Sequence, residues 1–309
     1  MKGLAARFRR VDWDVAHWAR LVLRTTAKAL SRLWGRDVML YTGGASFFVM
    51  LAIFPALAIL IGAYSLLTDP AQAAAQGELI SGLLPLSARP LFEGELTRLA
   101  HAPIGVVSTQ SAIALVIGAY AAHRGFKALL AGLSFIHEEK EQRGFLGFNL
   151  MALLVLIASF AMLGLLSTIF LSLRIMGETF QLRPLHGVSW LHSEWTWTSA
   201  GMSLGLACIY RFAMSRKPVV WSASLIGGAA AAGLCLVASW GIAIYVNQIA
   251  HFGATYGSVA TVVIFLVWLS WNVNAVFFGG ALATEVELAL ETQRRDLASD
   301  ALRGGAPGS

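Results

Sequence analysis

The chain is poor in charged residues, which make up only 13% of its 309 amino acids. Soluble domains carry about 25% charged residues. Hydrophobic residues reach 57%, more than a soluble fold of this length could hide, because much of any globular surface is already apolar. The scarcity of charge therefore excludes a soluble enzyme and a disordered chain. It predicts an all-α protein embedded in a membrane.

Cysteine is also scarce, since only Cys208 and Cys235 are present and both lie in apolar runs. Two thiols without metal-type spacing predict buried side chains, not a disulfide framework. The polar segment HEEKEQR at 137–143 lacks the HExxH spacing that places two imidazoles on one helix face. We therefore expect a charged cap on a surface helix there, and no metal site, cofactor or catalytic residue.

Six apolar runs are long enough to cross a bilayer, which takes about 20 residues. They are 38–67, 104–122, 145–173, 195–213, 221–246 and 256–283. The sequence thus divides into a basic amphipathic cytoplasmic segment at 1–37, a six-helix domain at 38–283 and a cytoplasmic tail at 284–309. We expect the end of the tail to be disordered. The first run is long enough to require a tilt or a bend, and Pro55 offers the place.

Lysine and arginine lie almost entirely between these runs, and 19 of the 23 fall in the alternate segments that include both termini. The positive-inside rule places those segments, and so both termini, in the cytoplasm. Without a span at 104–122 the asymmetry would vanish, so the charges support this weakest run. The net charge of +6 fits an anionic membrane surface better than nucleic acid. Membrane lipids are the expected partners, and a homo-oligomer is compatible with the pattern.

The basic N-terminal segment has the periodicity of an amphipathic helix. Its apolar stripe comprises Leu4, Phe8, Val11, Val15, Trp18, Val22 and Leu33. Arg24, Lys28 and Arg32 lie off that stripe. Two interpretations stay open: the helix lies on the anionic cytoplasmic leaflet, or it docks over the cytoplasmic mouth of the bundle.

Polar residues within the predicted spans are few, and none is Asp, Glu or Lys, which disfavours a proton-coupled pump. Asn272 and Asn274 are costly there unless hydrogen-bonded, and their spacing lets at most one line a cavity. Arg124 and Arg211 are the basic residues nearest the cytoplasmic membrane face, where an arginine fork could bind a phosphate bidentately. These four residues are the candidate substrate-binding set.

Small residues recur where helices would approach one another closely. The clearest cases are Gly43 and Gly44, Gly227 and Gly228, and Gly279 and Gly280. The run GGAAAAG is not a phosphate loop, because no strand precedes it and no GK[ST] follows.

Three stretches resemble the YihY/BrkB family of membrane proteins. They are ASFFVMLAIFPALAILIGAYSLL, IGAYAAHRGFKALLAGLSFIHEE, and IYRFAMSRKPVVWSASLIGGAAAAG with the later YVNQIAHFGATYGSVATVVIFLVWLSWNVNAVFFGGALATEVE. The residues that carry the resemblance are Phe54, Pro55, Gly125, Tyr210, Tyr245, Tyr256, Gly257, Ser258, Trp268, Gly279 and Glu285. The family's Gly-Ala-Glu step is replaced here by Gly279, Gly280 and Ala281, so an acid that is essential in the family is either absent from this chain or substituted by Asn274 or Glu285.

The resemblance implies a multi-pass protein of the bacterial inner membrane that supports envelope integrity, with virulence roles in some members. It implies a transporter or flippase for lipids or another envelope amphiphile, and the alternative is a scaffold that moves no substrate. Part of the family was once labelled ribonuclease BN. Nuclease chemistry needs clustered carboxylates or an acid–base pair, and the cytoplasmic acids have no matching histidines. We therefore expect no enzymatic activity.

Overall fold

The computed structural model describes residues 15–34, 38–65, 109–138, 144–179, 194–214, 218–248 and 253–304. These residues form seven α-helices and no strand, which confirms the all-α prediction for this part of the chain. The helices are α1 (Val15–Trp34), α2 (Val38–Ser65), α3 (Thr109–Ile136), α4 (Gly144–Thr179), α5 (Glu194–Phe212), α6 (Trp221–Gln248) and α7 (Gly253–Gly304).

Three stretches of the described helices are long and apolar enough to cross a membrane: Gly144–Leu166, Trp221–Tyr245 and Val262–Arg295. A fourth candidate is the pair Val22–Trp34 and Val38–Ile53, which is bent by 75° at the intervening residues. The chain is thus a helical membrane protein. The count of six spans and the orientation of the termini stay predictions.

Two helices extend beyond the predicted spans. Helix α3 is unbroken from Thr109 to Ile136, so it continues 14 residues past the end of the predicted second span at residue 122. Helix α7 continues to Gly304, so most of the predicted tail is helical, and residues 305–309 lie outside the described part. Neither extension contains proline, and hydropathy marks where lipid contact ends, not where a helix ends.

Helices α2 and α3 pack antiparallel along a seam of glycines. Three glycines of α3, spaced seven residues apart, face α2 residues that are seven apart in the opposite direction. The facing pairs are Gly118 with Pro55, Gly125 with Phe48 and Gly132 with Tyr41. A Cβ added to Gly118 would clash with the Cβ of Pro55, so glycine is required where the proline ring meets α3.

Helices α6 and α7 also approach closely, here with glycine against the backbone of the neighbouring helix. A Cβ on Gly279 would lie 2.5 Å from the Gly227 carbonyl oxygen and 2.7 Å from the Tyr210 hydroxyl. Gly228 packs tightly on α5 as well, because a Cβ added to Gly228 would clash with the Ser203 carbonyl oxygen. The predicted close packing is confirmed at these positions. The prediction of close packing is wrong at Gly43, because a Cβ added there would have no other atom within 4 Å.

Candidate functional site

Arg32 is the centre of a charged cluster where α1, α3 and α7 meet. Its Nε donates to Glu285, and its Nη1 donates to the Ile136 carbonyl at 3.2 Å and to Glu138 at 3.0 Å. The side chains of Arg32 and Glu285 are only 15% and 9% exposed. Glu138 lies in the turn just after α3 with φ of 62°, a conformation that favours glycine. Arg32 therefore joins three helices through a largely buried ion pair.

His137 continues this cluster toward α6. Its Nδ1 lies 2.9 Å from the Thr284 hydroxyl, which itself donates to the Gly280 carbonyl at 3.0 Å. Because the single hydrogen of that hydroxyl is donated to Gly280, the hydroxyl accepts from His137, which assigns the hydrogen to Nδ1. The other ring nitrogen lies 4.0 Å from Glu287, whose second oxygen accepts from the Val220 amide at 3.2 Å. Glu285 of α7 thus pairs with Arg32 of α1, whereas Glu287 contacts His137 and the Val220 amide.

An open cleft of about 270 Å³ lies beside the ion pair, lined by Lys28, Ser31, Arg32, Glu138 and Glu285. Its two cations and two carboxylates balance, so the cleft offers no net attraction for an anion. Among the described residues, no three His, Cys, Asp or Glu side chains group closely enough to hold a metal ion. The cluster is best described as a joint between helices.

The joint between α1, α3 and α7 was not predicted from the sequence. We expected Arg32 on the outer face of α1, yet it points inward, while Val22 from the expected apolar stripe is 61% exposed. The acids of α7 and the end of α3 supply the partners, and they lie 104 to 253 residues away along the chain. Helical periodicity within α1 contains no information about them. The only indication of the joint in the sequence was Glu285, which belongs to the family pattern.

A second set of cations, Arg124 and Lys127, lies on α3 among aromatic rings. The Arg124 guanidinium is 5.5 Å from the centroid of Tyr120 and 5.7 Å from that of Phe48. The Lys127 ammonium is 5.5 Å from Phe145 and 5.9 Å from the Phe148 ring of α4. Within the described residues neither cation has a hydrogen bond or an ion pair. We call these two cations and four rings the cation–aromatic patch.

Arg211 has a different environment at the end of α5. Its Nη1 donates to the Val219 carbonyl, and the Val219 amide donates back to the Arg211 carbonyl at 3.2 Å. The guanidinium stacks 4.6 Å from the centroid of Trp221 and 5.3 Å from that of Phe212. Arg211 therefore fastens the α5–α6 connection. It shares no neighbour with Arg124, so the structure does not bring the two predicted arginines together.

The two asparagines make hydrogen bonds that account for their place in α7. Asn272 Nδ2 donates to the Trp268 carbonyl one turn earlier at 2.8 Å. The Asn274 side-chain oxygen accepts from the Thr42 hydroxyl of α2 at 2.9 Å. The first bond stays within the helix, and the second ties α7 to α2. Neither contact requires a ligand.

The other residues of the family resemblance have packing contacts where their side chains are described. The Trp268 ring nitrogen donates to the Ser239 hydroxyl at 3.0 Å, and the buried Tyr210 donates to the Val276 carbonyl at 2.7 Å. Tyr245 is 36% exposed near the end of α6. The remaining four lie in helical backbone with side chains outside the described part: Phe54, Tyr256, Gly257 and Ser258.

A family model matches most of the chain. The model of the family described as Virulence factor BrkB matches residues 29–303. No curated protein and no solved structure gives a significant match. The matched region includes Arg32, the cation–aromatic patch and Glu285, and it covers most of the chain. The chain therefore belongs to the Virulence factor BrkB family.

Proposed function

We propose that the protein binds phosphate-bearing lipids of the bacterial inner membrane and moves them, or another envelope amphiphile, in support of envelope integrity. The observation that carries this proposal is the cation–aromatic patch, because its two cations lack an acidic partner among the described residues. The proposal assigns no catalytic residue. Cleavage of RNA by the purified protein would contradict it.

The chemistry of the patch suits a lipid phosphate. Rings stack on the faces of a guanidinium, whereas its N–H donors lie in its plane and stay available at the edge. Arg124 is exposed and next to exposed apolar residues of α3, among them Val116 at 68% and Ile117 at 49%. A phosphate flanked by acyl chains presents the complementary surface. Arginine can bind two of its oxygens at once.

The position of Arg124 along α3 favours movement over static binding. It lies 12 residues before Ile136, which corresponds to about 18 Å along the helix axis. A cation that faces lipid is unfavourable, by about 2.5–3.5 kcal/mol at the centre of a span and by less toward the membrane face, where Arg124 is predicted. A headgroup drawn along α3 to Arg124 would offset part of that cost. The patch would thus provide a binding position for the headgroup on the otherwise apolar surface of α3.

The alternative function is a scaffold that organises the envelope and moves no lipid. The close contact between Gly227 and Gly279 favours it, since tight small-residue packing is typical of rigid helix bundles. Lipid movement and a scaffold role are both compatible with a bound lipid. They differ in whether lipid crosses the bilayer.

Binding can be tested by native mass spectrometry of the purified protein with phosphatidylglycerol. We expect Arg124→Gln and Lys127→Gln to lose bound lipid, and Arg124→Lys to bind less than the wild type because lysine lacks the bidentate fork. Arg294→Gln, at an exposed position near the end of α7, is the matched control and should bind normally. Equal lipid occupancy in all five proteins would remove the patch from the proposal.

A further inference from the structure

Helix α1 has a fixed direction relative to α2. It ends at Trp34, and α2 begins at Val38 after a bend of 75°. Because α2 is an apolar helix of 28 residues, it enters the bilayer close to this bend. A helix that turns by 75° from a spanning helix runs nearly along the membrane surface.

The rotation of α1 about its own axis is also fixed. Ala29 is fully buried, Leu33 packs against the main core, and Arg32 is held by the ion pair with Glu285. These residues form one face of α1 and hold it against α7. The residues on the rest of the α1 surface therefore have a defined orientation relative to α7.

An apolar arc is exposed next to the docked face. Its members are Leu23 at 70%, Leu30 at 47% and Trp34 at 86% exposure. At 100° per residue these three positions fall within about 40° of the helix circumference. The arc continues onto the start of α2, where Met39 and Leu40 are 81% and 76% exposed. Such a contiguous apolar surface marks an interaction site.

The charge of α1 identifies the partner. The helix contains no Asp or Glu, and its basic residues Arg24 and Lys28 are exposed beside the apolar arc. An exposed apolar arc on a helix whose own charged residues are all basic fits the headgroup layer of an anionic bilayer. The continuity with the start of α2 favours lipid over another protein chain.

We propose that α1 lies in the headgroup layer of the leaflet that α2 enters, with its apolar arc inserted among the acyl chains and Arg32 setting its rotation. This surface is independent of the cation–aromatic patch and of any lipid movement. The N-terminal helix then combines both roles considered for it: it docks on the bundle and it lies on the membrane.

The test measures spin-label accessibility along α1 in the full chain, reconstituted in nanodiscs that contain phosphatidylglycerol. Single labels enter through Leu30→Cys, Trp34→Cys and Arg24→Cys in a background carrying Cys208→Ser and Cys235→Ala. We expect the ratio of oxygen to nickel-chelate accessibility at Leu30 and Trp34 to exceed that at Arg24 several-fold. Because all three labelled positions are exposed, the substitutions should leave the fold intact.

Two results would overturn the proposal. Nickel-chelate accessibility at Leu30 and Trp34 equal to that at Arg24 would place the arc in water. Low accessibility to both reagents at Leu30 and Trp34 would place a protein surface over the arc, such as a second copy of the chain. Circular dichroism and gel filtration of each labelled protein verify that the comparison concerns folded material.

Discussion

Replacing Arg32 by methionine should destabilise the protein strongly, because the change leaves a buried carboxylate without its cation. Glu285 is only 9% exposed in its side chain, and Arg32 supplies its ion pair. Arg32 also donates to the Ile136 carbonyl and to Glu138, so three helices lose a common contact. Removing one partner of a buried pair costs about 3–5 kcal/mol. We expect the lower part of this range, since Arg32 retains 15% exposure.

The free energy of unfolding in mixed detergent micelles measures this cost. The matched control is Arg295→Met, because Arg295 pairs with Glu291 at 3.7 Å and is 83% exposed; we expect it to lose about 0.5 kcal/mol or less. The double variant Arg32→Met with Glu285→Leu should recover much of the loss, since no unpaired charge remains. Equal losses for Arg32→Met and Arg295→Met, or simple addition in the double variant, would refute the buried-pair interpretation.

Other predictions concern packing and topology. Gly279→Ala should cost about 1–3 kcal/mol of unfolding free energy by overpacking, whereas Gly233→Ala, with nothing within 4 Å of its Cβ, should be neutral or stabilising; equal effects would contradict the close α6–α7 contact. Thr42→Val should cost about 0.6 kcal/mol in the same assay, the average for a hydrogen bond between membrane helices, and no loss would show that Asn274 finds another partner. A reporter fused after Ser309 should signal cytoplasm and one inserted near Gly77 the outer side; the reverse pair would overturn the six-span topology.

Much of the helical architecture could be predicted from hydropathy and small-residue spacing. Helices α4, α5 and α6 begin within one residue of the predicted runs, because apolar runs bounded by charge or proline have few alternatives in a membrane. Close packing at Gly227 and at Gly279 was equally predictable, since glycine pairs in spans allow close approach, but the sequence did not show that these two glycines meet. The regular seam opposite Pro55 was missed because Gly118 and Gly132 stand alone in the sequence, and the significance of their spacing depends on α2.

The candidate sites were less predictable than the helices. Arg124 was recognised as a basic residue near a predicted span, but its partner in the patch is Lys127 and not Arg211. The sequence could not show this, because the rings beside Lys127 come from α4 and the contacts of Arg211 come from the α5–α6 connection. Arg32 was read as a surface charge for the same reason: docking onto α7, and not the periodicity of α1, decides which face is buried.

The most direct measurement of the central claim is transbilayer movement of a fluorescent phosphatidylglycerol in vesicles that contain the purified protein. Dithionite added outside destroys only the fluorophores that reach the outer leaflet. We predict that the wild type and Arg294→Gln expose the inner-leaflet lipid, and that Arg124→Gln slows this exposure while its unfolding free energy stays normal. Wild-type vesicles that protect their inner leaflet as fully as protein-free vesicles would contradict lipid movement and favour the scaffold.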